Sequence, residues 1–545
     1  MEWDAIIIGT GMGGAPLGYA LARAGQRVLF LEKGKSPQQP GALANSYAES
    51  HFPTPAAPGP EHRATLQRAG RYSDTVRTNA GPRTQHFVPF IGSGGGGSSA
   101  LYGMVLERFF PADFAPRAQH PQAADAALPD SWPISYAELE PFYAQAETLF
   151  RVRGTPDPLR HDGAAGWAGH FKAPPPLTPA SGELFDFFAG RALHPYRVPL
   201  ACEFVPGCGA CQGYLCDRQC KNDANRVCLQ PALAQHGATL LDECEVLQLE
   251  ATREAVTGVV CEQRGQRLTL RGKRIFLAAG ALETPRLLLQ SASPHWPQGL
   301  ANDSGLVGRN LMRHHIDLYV IKPKTAAGFD NRQKEFGFND FYQHAGMKLG
   351  SVQSFGRLPP VPLLAASMAD DIRQGALPWL APLFKLVQPF IKPVLRQFVE
   401  QRLVLASTLE DLPYADNRVT PAEGDARLAI DYRVRPHDTT RIEAMRRLMR
   451  DALKPYSYDL VKQADNNQRI AHVCGTCRFG DDPRSSVLDA NNRAHGLANL
   501  YVVDASFFPS SGGTNPSLTI AANALRVAQH IAALDTNQGI HDDQA

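Results

Sequence analysis

Apolar residues near the N-terminus follow the order strand, glycine turn, helix, strand. Residues 5–8 form a short run of Ala and Ile, which predicts a buried β-strand. A glycine-rich turn at 9–14 follows, and the small and apolar residues of 15–24 predict a helix. The next apolar run, "RVLFLE" at 27–32, predicts a second strand. This order indicates a βαβ unit, in which a helix joins two parallel strands of one sheet.

The glycines of the turn have the spacing G-x-G-x-x-G, which suits a dinucleotide. Gly9 permits a tight turn, Gly11 lets a pyrophosphate approach the backbone, and Gly14 lets the helix pack closely on the sheet. Glu32 ends the second strand, where a carboxylate can accept hydrogen bonds from ribose hydroxyls and disfavours a 2′-phosphate. NAD and FAD therefore remain. The predicted cofactor-binding residues of this unit are Gly9, Gly11, Met12, Gly13, Gly14 and Glu32.

Two further stretches favour FAD over NAD. Residues 91–109, "IGSGGGGSSALYGMVLERF", form a second glycine-serine loop that is predicted to lead into an apolar helix. Residues 274–291, "RIFLAAGALETPRLLLQS", predict a buried strand that ends at Ala-Gly before another helix. A flavin has to be enclosed along its length, whereas a simple NAD dehydrogenase has no evident need for a second flexible loop. FAD is therefore the predicted cofactor.

The composition is that of a globular protein with small-molecule partners. The chain has 545 residues, and at about 100–200 residues per domain this length predicts two to four domains. A formal net charge of +2 gives no reason to expect a nucleic-acid partner. The first residues, "MEWDAIIIGTG", lack a basic region before a cleavable apolar stretch. The default expectation is a cytoplasmic location, and periplasmic export on a partner's signal is the alternative.

The apolar stretch at 377–398 comes nearest to a membrane segment. Lys385, Lys392 and several prolines interrupt it, so we predict no transmembrane segment. Its apolar side chains could form a lid over a greasy substrate or dock on a membrane or a partner. A buried helix pair with a proline break is the other alternative, and the sequence leaves all of these open.

Several motifs occur together in one order along the chain. They are "IIIGTGMGG", "GGGGSSALYGMV", "SWPISYAELEPFYAQAE", "FLAAGALETPRLLLQS", "GLVGRNLMRHH", "NRVT" and the block from "HVCGTCRFG" to "GTNPSLTIAANALRVAQHI". With these motifs the chain resembles the glucose–methanol–choline (GMC) flavoprotein oxidoreductases, and most of all their bacterial sugar, polyol and gluconate-type dehydrogenases. The resemblance implies a mixed α/β fold with a Rossmann-like FAD-binding domain and a β-sheet substrate domain.

The resemblance also implies domain limits. The FAD-binding domain would consist of 1–40, 85–130, 200–315 and 465–535. The substrate-binding domain would consist of 130–200 and 316–464, with a lid at 365–400.

The resemblance further implies which groups react. Oxidation of an alcohol needs a base for the hydroxyl proton and an acceptor for the hydride, which in this family is flavin N5. His472 and Asn515 stand where the family carries its catalytic histidine and the companion residue. Neutral His472 can take the proton near neutral pH, and the Asn515 amide can donate to the substrate oxygen. His314 and His315 have no partner that the sequence identifies, and we expect them to be structural.

Further FAD contacts are implied outside the first βαβ unit. The Asp-Ala step at 504–505 would approach the phosphate and ribityl chain through backbone N–H groups, and a turn acid at the strand end is the alternative. This chain has Tyr102 where the family often has Asn, so a contact carried over to that residue is in doubt. The implied contact residues are Gly97, Ser98, Ser99, Ala279, Asp504, Ala505 and Asn515.

The expected reaction is the oxidation of a CH–OH group of a sugar, polyol or other alcohol. The expected enzyme is a dehydrogenase that passes electrons to a quinone, a haem or another electron-acceptor protein. An oxidase that reduces oxygen is one alternative, because the same His/Asn pair serves both. A non-redox, lyase-like flavoprotein of the same fold is another.

Six of the ten cysteines lie between 202 and 228. Without an export signal, the default expectation is reduced thiols. The spacing of Cys208, Cys211 and Cys216 resembles that of fructose-dehydrogenase-like members, which implies that the three thiolates hold a trinuclear iron–sulfur cluster. A four-ligand zinc site that includes Cys220, disulfides in an exported complex, and inert buried thiols remain open.

Overall fold

The structure is a computed structural model. It describes residues 2–36, 40–51, 59–79, 84–160, 171–325, 329–358, 361, 401–464 and 472–542. The predicted lid at 365–400, with the apolar segment 377–398, lies outside the described residues. None of the helices in the described part of the chain is long and apolar enough to cross a membrane.

Strands and helices alternate in the first part of the described chain, and long helices lie near its end. The strands are β1 (Trp3–Ile8), β2 (Val28–Leu31), β3 (Val76–Thr78), β4 (Gln85–Phe87), β5 (Thr239–Leu241), β6 (Cys244–Ala251), β7 (Val256–Gln263), β8 (Gln266–Leu270), β9 (Gly272–Leu277), β10 (His315–Ile321), β11 (Gly337–Phe338), β12 (Gln343–His344), β13 (Met347–Lys348), β14 (Gly350–Ser354), β15 (Leu403–Leu409), β16 (Arg418–Pro421), β17 (Leu428–Asp431), β18 (Tyr458–Val461) and β19 (Leu500–Val502). The α-helices are α1 (Gly14–Arg23), α2 (Pro60–Arg68), α3 (Pro116–Gln119), α4 (Tyr136–Leu149), α5 (Pro179–Ala189), α6 (Gln230–Gln235), α7 (Gly280–Gln290), α8 (Pro436–Ala452) and α9 (Ser517–Asp542). Short 3₁₀ turns lie at Ala48–Ser50, Gly97–Ala100, Pro111–Phe114 and Ala505–Phe507, and a π-helical turn lies at Asn225–Leu229.

A five-stranded parallel sheet forms the centre of the cofactor side. Its order is β19-β9-β1-β2-β5, and every pairing is parallel. The apolar run of β1 is buried on both faces, as a parallel strand covered by helices requires. Helices α1, α4 and α9 share one large apolar core with this sheet. The predicted α/β class and its Rossmann-like βαβ unit are therefore confirmed.

Helix α4 begins where the sequence places a capping box. The Ser135 hydroxyl accepts a hydrogen bond from the Glu138 N–H at 3.2 Å, and the Glu138 carboxylate accepts one from the Ser135 N–H at 2.7 Å. Leu139 and Tyr143 then point into the core that α4 shares with α9. The capping box therefore sets the start of α4, and the apolar side chains fix its position.

An antiparallel sheet forms a second layer with its own core. Its strand order is β11-β14-β15-β10-β18, and His315 of β10 pairs with Leu409 of β15. Helices α5 and α8 contribute apolar side chains to this second core. The sheets β16-β17-β3-β4, β6-β7-β8 and β12-β13 complete the described strands. The domain limits given above stay predictions.

The prediction of an apolar helix after the glycine-serine loop is wrong. The chain makes only the 3₁₀ turn Gly97–Ala100 and then runs irregularly to residue 110. Met104 has a φ of 65°, which an α-helix does not contain. The Leu106 N–H donates to the Pro199 carbonyl at 2.9 Å, and Val105 forms an isolated bridge with Leu200. Pairing with this distant segment replaces the helix.

Candidate active site

The glycine turn of the first βαβ unit is packed between the ends of two other strands. A Cβ on Gly9 would lie 2.4 Å from the Ala278 carbonyl oxygen, and one on Gly13 would lie 2.2 Å from the Val503 carbonyl oxygen. A Cβ on Gly14 would lie 2.1 Å from the Gly9 carbonyl oxygen. These contacts with rigid backbone explain why the turn has glycine at these positions.

Gly11 faces a different environment from the other glycines. The nearest atoms to a Cβ there would be the Gly97 Cα at 3.9 Å and the Gly96 oxygen at 4.0 Å. The first glycine turn and the glycine-serine loop therefore face each other at the N-terminus of α1. A helix N-terminus with accessible backbone N–H groups suits an anionic pyrophosphate. These residues therefore fit the pyrophosphate of FAD.

Glu32 joins three loops at this edge of the sheet. Its carboxylate accepts hydrogen bonds from the Thr10 N–H at 3.1 Å and the Thr10 hydroxyl at 2.7 Å. It also accepts hydrogen bonds at 3.0 Å from the N–H groups of Gly34 and Gly94. Sequence reasoning missed this bracing role. The predicted contact of Glu32 with a ribose stays a prediction.

Asp504 has a similar bracing role at the end of β19. Its carboxylate accepts hydrogen bonds from the Gly280 N–H at 2.9 Å, the Thr284 hydroxyl at 2.6 Å and the Ser506 N–H at 2.8 Å. Burial raises the pKa of Asp504, although these hydrogen bonds act in the opposite direction. Asp504 thus fixes Ala505 and the first turn of α7, next to Ala279.

The serines of the second loop bond within the protein. The Ser98 hydroxyl accepts from the Gly92 N–H at 3.0 Å. The Ser99 hydroxyl donates to the Gly96 carbonyl at 2.6 Å and accepts from the Ala224 N–H at 3.0 Å. Both serines therefore shape the loop that faces Gly11.

The Tyr102 hydroxyl, at the position where the family often has Asn, donates to the Asn222 carbonyl at 2.6 Å. This hydrogen bond ties the second loop to the cysteine-containing segment.

His472 and His314 lie side by side, which the sequence did not indicate. Their Nδ1 atoms are 2.8 Å apart, and the other ring nitrogen of His314 lies 2.9 Å from the Gly512 carbonyl oxygen. The signal that could have indicated this pair is the "GRNLMRHH" motif at 308–315. The resemblance includes this motif, but the sequence alone identifies no partner for its histidines. His314 thus has a partner that the sequence did not identify, and the expectation that His314 is structural stays a prediction.

Backbone pairing explains why the two rings meet. Met312 and Cys474 exchange two backbone hydrogen bonds of 3.0 Å, two residues from His314 and His472 respectively. Gly475 donates to the Ala505 carbonyl at 3.0 Å, so the same segment also lies against the 3₁₀ turn after β19. His472 has a φ of 61°, an uncommon conformation for a non-glycine residue that is enriched at functional sites.

The hydrogen bonds of His314 determine the tautomer of His472. Nε2 of His314 faces the Gly512 carbonyl, which only accepts, so Nε2 carries a proton. Burial lowers the pKa of His314, so the ring is neutral and its Nδ1 is an acceptor. His472 must then donate its Nδ1–H to His314, and the lone pair at Nε2 of His472 is left free. This nitrogen can take a proton.

The electrostatic surroundings keep His472 neutral. Burial lowers the pKa of His472 well below the ordinary value, and the neighbouring His314 and Lys334 lower it further. Burial also lowers the pKa of Lys334 to about 8, although Glu107 opposes the shift. A neutral imidazole at physiological pH is the form that a general base needs.

Asn515 lies two residues before α9, and its buried amide oxygen has no hydrogen-bond partner among the residues that the structure describes. Its side chain is 6% exposed. Buried polar atoms are seldom left without a partner in proteins, so this oxygen marks a place for a polar ligand atom.

The loop that carries Asn515 is fixed by buried polar contacts. The Gly512 N–H donates to Glu410 at 3.1 Å, and the Gly513 N–H donates to the Tyr342 hydroxyl at 2.8 Å. Lys348 pairs with Glu410 at 2.7 Å and with Asp113 at 2.5 Å. This ion cluster holds the backbone carbonyl that binds His314, and with it the loop that carries Asn515.

The cysteine-rich segment contacts the second glycine-serine loop. Its Lys221 side chain is buried and donates to the carbonyls of Ala100 at 2.7 Å and Tyr214 at 2.9 Å. Of the predicted metal ligands, only Cys208 belongs to the trio whose sulfurs all lie within 4.8 Å of one another. That trio is Cys202, Cys208 and Cys220.

Comparison with known proteins finds relatives that cover nearly the whole chain. Family models described as GMC oxidoreductase match residues 197–316 and 413–524. The chain is 29% identical to paromamine 6'-oxidase of Streptomyces fradiae, over 97% of this chain and 91% of that relative. It is 27% identical to 2-methyl-1,2-propanediol dehydrogenase of Mycolicibacterium austroafricanum, over 97% and 95% of the two chains. The crystal structure of pyridoxine 4-oxidase from Mesorbium loti matches with a TM-score of 0.63 and 22% identity, covering 97% and 99% of the two chains, and shares the fold.

Proposed function

Because the chain belongs to the GMC oxidoreductases, an FAD-binding family whose curated relatives oxidise CH–OH groups, we propose that it oxidises a sugar, a polyol or another small alcohol. His472 is the base that takes the hydroxyl proton, and Asn515 holds the substrate oxygen. FAD, when bound, supplies the acceptor for the hydride. The hydrogen bond between the Nδ1 atoms of His472 and His314 is the observation that carries the proposal, because it assigns the proton of His472 to Nδ1 and the lone pair to Nε2.

The chain's own residues supply binding, orientation and proton transfer. Gly11 leaves room for the dinucleotide, Gly97 packs closely against Gly11, and Asp504 fixes the turn beside it. His472 receives the proton at Nε2, and the resulting positive charge is shared through Nδ1–H with His314. The N–H₂ of the Asn515 amide donates to the substrate oxygen, without competing for the proton.

The substrate class follows from the relatives that cover nearly the whole chain. Their names describe oxidation of paromamine and of 2-methyl-1,2-propanediol, which are small polyhydroxylated compounds. Lys334 lies near His472, and Glu107 lies near Lys334. These two groups suit a substrate with several polar groups. A polyhydroxylated alcohol is therefore the substrate class that we propose first.

The electron acceptor distinguishes two candidate functions. The sequence favours a dehydrogenase with a quinone or a protein acceptor, and the relative named as a propanediol dehydrogenase supports this. The relatives named as oxidases of paromamine and 6'''-hydroxyparomomycin C, each 29% identical, favour an oxidase as the second candidate.

One experiment tests the reaction and its acceptor. The FAD-loaded protein is mixed without oxygen with a panel of amino sugars, sugars, polyols and simple alcohols. Bleaching of the flavin absorbance by a polyhydroxylated member supports the proposed reaction, and no bleaching by any member contradicts it. Rapid recovery of the absorbance on admission of air identifies an oxidase, whereas slow recovery that a quinone accelerates identifies a dehydrogenase.

A further inference from the structure

Lys334 carries an ammonium group that the described part of the protein leaves without a polar partner. It lies shortly before β11, and its side chain is half-buried. None of the residues that the structure describes forms a hydrogen bond or an ion pair with its Nζ, which lies 5.4 Å from the centre of the Phe355 ring. An ammonium that is withdrawn from water and left without a polar partner is unfavourable. Lys334 therefore suits a polar atom of a ligand.

The Lys334 side chain lies on the same segment of chain as a group that holds the Asn515 loop. A Cβ on Gly103 would lie 2.6 Å from the Cε and 2.8 Å from the Nζ of Lys334. Farther along this segment, the Glu107 carboxylate accepts a hydrogen bond from the hydroxyl of Thr514, which directly precedes Asn515 in the chain. The ammonium of Lys334 is thus placed beside the segment that holds the proposed substrate-binding amide.

Lys334 brings a positive charge to this region at neutral pH. Burial lowers the pKa of Lys334 to about 8, and the carboxylate of Glu107 opposes this shift. The charge also acts on His472, whose pKa it lowers together with burial and His314. The ammonium form predominates at pH 7, and like charges repel. A substrate with an amino group beside Lys334 is therefore disfavoured.

The Gln212 side chain supplies an acceptor beside the same glycine. A Cβ on Gly103 would lie 3.3 Å from the Oε1 of Gln212. The Gln212 side chain is half-buried and has no hydrogen-bond partner in the described part of the chain. A hydroxyl group both accepts and donates a hydrogen bond, whereas a carboxylate only accepts and an ammonium only donates. A hydroxyl is therefore the group that satisfies Lys334 and Gln212 together.

We propose that Lys334 determines substrate specificity by donating a hydrogen bond to a second hydroxyl of the substrate, while the Oε1 of Gln212 accepts a hydrogen bond from that hydroxyl. The inference rests on the proposed function and specifies its substrate class. A diol or sugar with this second hydroxyl binds better than an analogue that lacks it, because hydrogen bonds to charged groups are stronger than neutral ones. An analogue with an amino group in its place is excluded by the charge of Lys334.

Binding of two matched ligand series tests this role. One series is 1,2-propanediol, 1-propanol and 2-amino-1-propanol, and the other is D-glucose, 2-deoxy-D-glucose and D-glucosamine. Each ligand is titrated at pH 7 and without oxygen into the FAD-loaded wild type and into Lys334→Met. Calorimetry measures binding, and flavin absorbance measures reduction. In at least one series we expect the wild type to bind the hydroxyl compound about 10-fold more tightly than the other two.

Lys334→Met should bind the hydroxyl and the deoxy compound of that series about equally, and should bind the amino compound more tightly than the wild type does. A wild type without the hydroxyl preference in either series, or an unchanged preference in Lys334→Met, would overturn the proposal. Preference without flavin bleaching would contradict the proposed function but not the role of Lys334. Bleaching without preference would contradict only the role of Lys334.

Two further variants separate this contact from effects on folding. Gln212→Leu should weaken the hydroxyl preference but still disfavour the amino compound, because the charge of Lys334 remains. Lys454→Met is the control, because Lys454 is an exposed lysine that pairs with Asp451 at 3.0 Å, and it should keep the full preference. The FAD content and thermal unfolding of each variant check that it is folded. A full hydroxyl preference in folded Gln212→Leu would overturn the shared contact.

Discussion

The residue that matters most for the proposed reaction is His472, whose ring proton is assigned to Nδ1 by the hydrogen bond to His314. His314 accepts from Nδ1 of His472 and donates to a backbone carbonyl, and both rings are kept neutral by burial. The resemblance to a family identified His472, but it did not identify His314 as the partner. The contact depends on the pairing of Met312 with Cys474, and pairing between distant segments is not visible in a sequence.

The hydrogen bond between the histidines can be tested with a matched pair of variants. An Asn side chain places its oxygen near the position of Nδ1, whereas Gln places its amide near the position of Nε2. His314→Asn should therefore keep the acceptor for His472, and His314→Gln should lose it. We expect flavin reduction in His314→Gln to be about 10-fold slower, which corresponds to one hydrogen bond of about 1.4 kcal/mol.

Stopped-flow measurement of the first reduction checks this prediction. Recovery of most of the rate in His314→Asn, with the FAD content unchanged in both variants, would support a positioning role. Equal loss in the two variants would show that His314 acts only through packing.

The neutral state of His472 predicts an unusual pH dependence. Its pKa is lowered well below the ordinary value of 6.5, so the fraction of unprotonated base does not change as the pH falls from 8 through 6.5. The rate of flavin reduction should stay level over this range and should decrease only when the pH reaches the lowered pKa. A rate profile with a midpoint near 6.5 would contradict this electrostatic account.

At the scale of elements, the glycine turn and the ion cluster place the reacting groups. The sequence predicted the turn between β1 and α1, because its glycine spacing, the flanking strand and helix, and Glu32 all indicate the same unit. It did not predict the bracing role of Glu32 or the irregular chain after Gly97–Ala100. Both arise from contacts with segments far away in the chain, such as the pairing of Val105 with Leu200.

Gly11 and Gly14 should respond differently to an added methyl group. A Cβ on Gly14 meets backbone at 2.1 Å, whereas the nearest atom of the described residues to one on Gly11 lies at 3.9 Å. Gly14→Ala should therefore lower the thermal stability of the protein even without FAD. Gly11→Ala should fold normally but retain much less FAD, because the methyl group would occupy the cofactor side of the turn.

Thermal unfolding and the FAD content of each variant are the measurements. Gly59→Ala is the control, because a Cβ on Gly59 meets nothing within 4 Å and the residue lies at the start of α2. Full FAD content in Gly11→Ala would contradict the placement of the cofactor.

Removal of Lys348 from its buried cluster with Asp113 and Glu410 should lower the free energy of unfolding strongly. Burial alone would lower the pKa of Lys348, but the two carboxylates raise it, so the ammonium stays charged. Lys348→Met leaves two buried carboxylates without their partner, and we expect a loss of about 3–5 kcal/mol in the free energy of unfolding. Chemical denaturation measures this loss. Arg484→Ala removes an exposed ion pair with Asp482 and should have no measurable effect.

At the scale of the whole molecule, the parallel sheet and the antiparallel sheet bring distant segments to one site. His314 precedes β10 of the antiparallel sheet, and Asn515 precedes α9, which packs with the parallel sheet. The sequence motifs predicted the fold class, because the motifs are local patterns, and the structure confirms it. The assignment of His472 and Asn515 as the catalytic pair stays a prediction. The grouping of Cys202, Cys208 and Cys220 could not be predicted in the same way, because Cys202 joins it through a bridge to Lys221 and not through spacing.

The proposed function depends on His472 acting as the base for oxidation of a CH–OH group. The most direct test is the rate of flavin reduction in the FAD-loaded His472→Ala variant, mixed without oxygen with a substrate that bleaches the wild-type protein. We expect the rate of flavin reduction in His472→Ala to be about 10²–10⁴-fold lower than in the wild type, with FAD still bound, because general-base assistance contributes about this factor. A rate equal to that of the wild type would contradict the assignment.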